Sequence, residues 1–242
     1  MTMTPETMTP EKMTDELAAA LGPRLKCVAL YGSAAAGDFV PGASNFNLLV
    51  VVDPLSANEL DLLAAPIGTW RKAGHLGPLL FTPDQLKSSA DAFAIELLDI
   101  RQSRRILWGE DLLAEIRVVH EHLRLQVERE LTGKLLALRG AYVAASGRPE
   151  AVGEVMLRSL STFLVLFRAA LRLHEETVPA KKLDALLGLS KYLKFDARPF
   201  QRLSELKEQR RAASDVAAEV RFADYLAAIE SVAATINHST HP

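Results

Sequence analysis

Leu30-Tyr31-Gly32-Ser33-Ala34-Ala35-Ala36-Gly37-Asp38-Phe39, followed by Ser44-Asn45-Phe46-Asn47 and the apolar run Leu48–Val52, is the stretch on which the reading of this chain turns. An apolar strand meets Gly-Ser, passes through a small-residue loop with Gly37, Pro41 and Gly42, and re-enters as a second strand. Successive amides in such a turn form an anion-binding concavity, so Gly32, Ser33 and the Gly37 turn are candidates to hold a phosphate. Taken singly, these glycines are ordinary turn residues. The ordered series, with an apolar strand on each side, is what carries the reading.

The same stretch resembles the signature of the nucleotidyltransferase superfamily, which includes DNA polymerase beta, the antitoxin-type minimal nucleotidyltransferases and the aminoglycoside nucleotidyltransferases. Gly32, Ser33, Gly37, Ser44 and Leu48 match that signature. The resemblance adds Ser44 to the nucleotide-binding candidates. The two aspartates of the signature are replaced by Asn45 and Asn47, and its loop arginine by Ala36.

These departures fall on the chemistry and spare the scaffold. Residues two apart on a strand share a face, so positions 45 and 47 are expected to present ligands together. Nucleotidyl transfer in the family needs that pair ionised, because magnesium ions must be held and aimed at the attacking and leaving oxygens. Asparagine keeps the size of aspartate and loses the charge. The third carboxylate of the family comes from a later strand. The matching segment here, Leu79-Leu80-Phe81, is apolar, and Asp53 and Asp99 read better as a strand-end and a helix-surface charge.

The expected function is therefore a nucleotidyltransferase-like protein with a degenerate metal site, a nucleotide- or partner-binding module without turnover. No catalytic residue, metal ligand or cofactor is assigned, and Asn45 and Asn47 are the degenerate positions. The alternative is an active enzyme that moves a nucleoside monophosphate from ATP to a hydroxyl of a small molecule or protein. Magnesium and ATP enter only under that alternative.

The remaining chain fits an α+β fold, a small mixed-sheet domain followed by an antiparallel helical bundle. The expected divisions are 1–23 (a flexible start with a short helix over Asp15–Leu21), 24–110 (the nucleotidyltransferase-like domain) and 111–242 (the bundle). Strands are expected over Leu25–Leu30, Phe46–Val52, Leu79–Phe81 and Arg104–Gly109. Ser56-Ala57-Asn58-Glu59 has capping-box spacing and starts a helix expected to carry Leu60, Leu62 and Leu63 inward, with a break at Pro66 or Gly68. Thr82-Pro83-Asp84-Gln85 starts another, with Pro83 at its first position.

After Asp111 strand signals stop. Ile116, Val119, Leu123, Val127, Leu131, Leu135, Leu138 and Tyr142 recur at steps of three and four as one stripe. Ala151–Glu175 is apolar nearly all round and is expected at the bundle's centre. Val216, Val220, Ala223, Leu226, Ile229, Val232 and Ile236 form a last stripe. The architecture is also that of the aminoglycoside nucleotidyltransferases, which the chain resembles specifically over 25–53.

Composition narrows the partners. A formal charge of −2 in 242 residues offers no general attraction to nucleic acid or an anionic membrane surface. The densest cationic cluster of the first half, Arg101, Arg104 and Arg105, could meet a triphosphate or RNA, but pairing with Glu96, Asp99 and Glu110 or exposure to water is preferred. The scattered histidines and single Cys27 have no zinc spacing, and Cys27 reads as a small buried hydrophobe of the first strand. The apolar stretch 160–171 is too short to cross a bilayer, and the N-terminus has no apolar core of signal-peptide type. A soluble, cytoplasmic protein is expected, with a nucleotide, a protein partner or a second copy as candidate partners.

A second resemblance is much shorter. Arg168-Ala-Ala-Leu-Arg-Leu-His174 is similar to the loose Arg-x(4–6)-His pattern of the HEPN helical ribonucleases. Competing with it is the expectation that Arg168 snorkels from a buried helix while His174 favours the negative end of that helix.

Overall fold

The computed structural model describes residues 8–36, 45–175 and 177–238. Gly37 and Ser44, two of the nucleotide-binding candidates, lie outside the described residues. The fold is α+β, and the chain divides into two compact units between Val119 and His120.

The first unit begins with α1 (Pro10–Leu21), which is capped by the Thr9 side chain accepting from the Lys12 amide. This corrects the expected start at Asp15. Met8, Met13 and Leu17 pack into the core, so residues expected to belong to a flexible start form a structural layer. Strand β1 (Leu25–Tyr31) leads into a helical turn, α2 (Ser33–Ala36), where a loop was expected. Then come β2 (Asn47–Val52), α3 (Ala57–Lys72), β3 (Leu79–Phe81), α4 (Pro83–Ser88), α5 (Ala94–Gln102) and β4 (Arg104–Gly109).

Among the described residues the sheet is four-stranded, in the order β3-β2-β1-β4. β1 runs antiparallel to β2 and β4, and β3 lies parallel to β2. Alternation splits β1 between two cores. Val28 and Leu30 join Leu48, Val50, Leu63 and Trp70 on one face, whereas Cys27 and Ala29 join Leu49, Val51, Leu97 and Ile100 on the other. Cys27 is fully buried, and that burial raises its thiol to about 11.

The predicted capping box forms at Ser56–Glu59, and the expected helix start at Thr82 carries a second box with Gln85. α3 nevertheless runs unbroken through Pro66, and its buried face is Glu59, Leu63, Pro66 and Trp70. Leu60 and Leu62 point outward instead of inward. A proline costs a helix one hydrogen bond and a steric adjustment. Here its ring is buried on the packed face between Leu63 and Trp70, and the helix continues.

The second unit comprises α6 (His120–Ala145), α7 (Pro149–Leu171), α8 (Lys182–Leu193), α9 (Arg198–Glu208), α10 (Ala213–Glu219) and α11 (Phe222–His238). α7 packs against α6, α8, α9, α10 and α11 and is the centre, although it stops at Leu171 and not Glu175. Ile116 lies before α6 and joins the first unit's core, and Val119 is 56% exposed, so neither belongs to the α6 stripe. The expected last stripe is divided at Val220, whose backbone is extended. That break turns Tyr225 into the core and leaves Ala223 exposed. No helix among the described residues is long and apolar enough to cross a membrane.

Candidate functional site

The candidate site lies at one end of the first unit's sheet. Gly32 ends β1 with φ +78°, a conformation that only glycine adopts cheaply. Its carbonyl oxygen accepts from the Ala35 and Ala36 amides, which winds Ser33–Ala36 into α2. The Gly32 amide, expected among the phosphate-facing donors, donates instead to the Ser103 carbonyl at 3.1 Å. What Gly32 contributes is shape: a Cβ there would stand 3.0 Å from Nδ2 of Asn47.

Asn47 is the first residue of β2 and pairs with Tyr31, which on its other side pairs with Arg104 of β4. These three form one row across the sheet end. β2 has no partner beyond this row, because β1 turns away at Gly32. Asn45 is therefore outside the strand and exposed, so the expected two-residue strand alternation does not place it with Asn47.

Burial raises the Tyr31 hydroxyl above its ordinary value, and the Glu96 carboxylate adds to the effect. Arg104 grips Asp111 with Nε at 3.0 Å from both carboxylate oxygens and Nη2 at 2.5 Å from Oδ2. That hydrogen bonding is the main cause holding the Asp111 carboxyl below the ordinary range. Arg105 pairs with Glu11 of α1 at 2.7 Å, and Nη1 of Arg101 donates to the Ile116 carbonyl at 2.8 Å. The three arginines are thus engaged, with partners other than those expected at Glu96, Asp99 and Glu110. Glu11 was missed because it lies in the start expected to be flexible.

A magnesium clamp finds no counterpart in this arrangement. Asn45 and Asn47 are neutral, and β3, registered against Leu49–Val51, carries only Leu79, Leu80 and Phe81. Asp53 follows the opposite end of β2, six residues from Asn47 and so about 20 Å away. Asp99 belongs to α5. Among the described residues no group of three or more His, Cys, Asp or Glu could hold a metal ion. The residues present do not fit the ion that the family resemblance implies.

The second unit keeps its two sequence candidates apart. Arg168 does not snorkel: it is 8% exposed, and its Nη1 donates to the Ala180 carbonyl at 2.6 Å. His174 is exposed on the turn after α7 and stacks on Tyr192 with ring centroids 5.5 Å apart. Elsewhere in this unit a hollow of about 330 Å³ is lined by Asp196, Arg198, Arg202, Glu219, Arg221 and Asp224. Its charges are matched internally, Arg198 with Asp196, Arg202 with Glu219 and Arg221 with Asp224.

No family model matches this chain, and a search of curated proteins returns no match.

Proposed function

We propose that the first unit is a nucleotidyltransferase-like module with a degenerate metal site, which binds a nucleotide or a partner without turnover. The observation that carries this reading is Asn47 seated over the positive-φ turn at Gly32, at the end of a mixed sheet whose third strand bears no carboxylate. A positive-φ glycine turn beside the first residue of β2 supports a phosphate-holding role, and Asn45, Asn47 and β3 supply no charge that would aim a metal. Ser33 and Ala34, which open the helical turn after Gly32, are the backbone amides that a phosphate would meet.

Thermal shift of the full chain against a panel of nucleotides, with and without magnesium, tests the reading. A shift with nucleotide that does not require magnesium, and no ATP turnover, is the expected result. Ser33→Pro sharpens the experiment, because proline is tolerated at a first helical position and removes the amide donor together with the side-chain hydroxyl. The variant should stay folded and lose the shift. Magnesium-dependent turnover of ATP, or adenylation of added acceptors, would replace the binding module with the transferase reading.

A further inference from the structure

Asn47 is half-buried, and among the described residues its side-chain amide has no hydrogen-bond partner. Its Nδ2 faces the Gly32 turn. We propose that Asn47 holds a phosphate directly, as a hydrogen-bond donor with no metal between, and that the site selects a nucleoside monophosphate over a magnesium-bound triphosphate. This rests on the nucleotide-binding reading and adds the ligand class and the residue that sets it.

The chemistry follows from the exchange of acid for amide. An aspartate only accepts hydrogen bonds and repels phosphate unless a cation stands between them, whereas an asparagine offers two donors to phosphate oxygens. A direct N–H···O contact of about 2.9 Å brings a phosphate oxygen onto the Asn47 amide without an ion between them.

Charge then decides which phosphate. The nearby arginines are committed to Asp111, Glu11 and the Ile116 carbonyl. Among the described residues, the side-chain donors beside the Gly32 turn, Ser33 and Asn47, are neutral. Neutral donors suit a single phosphate group whose outer oxygens stay in water. They do not offset the charge of a free triphosphate, and they give no anchor to the magnesium of a bound one.

Calorimetric titration of the full chain with the ribonucleoside monophosphates, ADP and ATP, first in EDTA and then in excess magnesium, tests the assignment. Adenosine and inorganic phosphate are separate arms. Monophosphate should bind more tightly than ATP and be indifferent to magnesium. Asn47→Asp, nearly isosteric, should weaken monophosphate binding by about tenfold or more in EDTA, through loss of a donor to a charged group. Preference for magnesium-bound ATP, or Asn47→Asp binding monophosphate as the wild type does, would overturn the direct-donor assignment and leave nucleotide binding standing. Monophosphate binding no tighter than inorganic phosphate would remove the nucleoside from the ligand. Absence of binding by any nucleotide would overturn both.

Discussion

Gly109 in the sheet unit and Gly153 in the helical unit share one constraint: an added Cβ would lie 1.9 Å from the Lys26 carbonyl oxygen in the first and 1.8 Å from that of Ala213 in the second. Their freedom to yield differs. Gly109 also has φ +71°, and it sits where β4 is registered on β1, itself hydrogen-bonded to β2 on its other side. Gly153 lies in α7 against the start of α10, a helix of seven residues that is free of any such ladder. In the sheet, one displaced strand disturbs its neighbours and the two cores they separate. Between helices, the same intrusion is absorbed by sliding a short element. The candidate site was built on the stiffer of these two scaffolds.

The most severe test of the comparison is Leu164→Asp. Leu164 lies in the part of α7 that is apolar nearly all round, and an unpaired charge there should cost on the order of 4 kcal/mol. An unchanged denaturant midpoint would show that α7 is not the centre of the helical unit. Gly109→Ala comes next, at about 3 kcal/mol, from the clash together with the strained φ. Gly153→Ala should cost less, roughly 1–2 kcal/mol, because alanine's helix propensity offsets part of the overlap. If chemical denaturation ranks the two glycine variants the other way, the contrast between stiff sheet and sliding helices fails.

Much of this was legible before the structure because it is local. The spans Leu79–Phe81 and Arg104–Gly109, the capping box at Ser56, the helix start at Thr82 and the buried run of α7 follow from spacing within a few residues. What was hidden depends on distant partners. Glu11 meets Arg105 across 94 positions, and Pro66 stays helical because its flanking residues are held by a core assembled from α1 and the sheet. The extended backbone at Val220 interrupts a stripe whose periodicity gives no sign of it. At the site, the neutral pair Asn45 and Asn47 could be read from the chain. That the Gly32 amide is spent on Ser103, and that Asn45 falls outside β2, could not, since each is set by where a neighbouring strand ends.

A smaller effect bears on the sheet end itself. The Asp111 carboxyl is held below its ordinary value chiefly by the Arg104 hydrogen bonds. Its contribution to stability is therefore full above the ordinary aspartate value of about 3.9 and fades as pH falls through the depressed folded value. Asp111→Asn should lower the melting temperature slightly at neutral pH and flatten its decline below about pH 4. Identical acid limbs in the two proteins would show that the pair adds nothing to folding.

The account's central claim is that the sheet end keeps Asn47 beside the Gly32 turn without the charge a metal needs. Magnesium titration by calorimetry, on the wild type and on the double variant Asn45→Asp, Asn47→Asp, tests it most directly. The account predicts no measurable binding by the wild type and at most a weak site in the double variant, because position 45 lies outside β2 and the two new carboxylates do not share a strand face. Magnesium binding by the wild type as tight as by the double variant would contradict it.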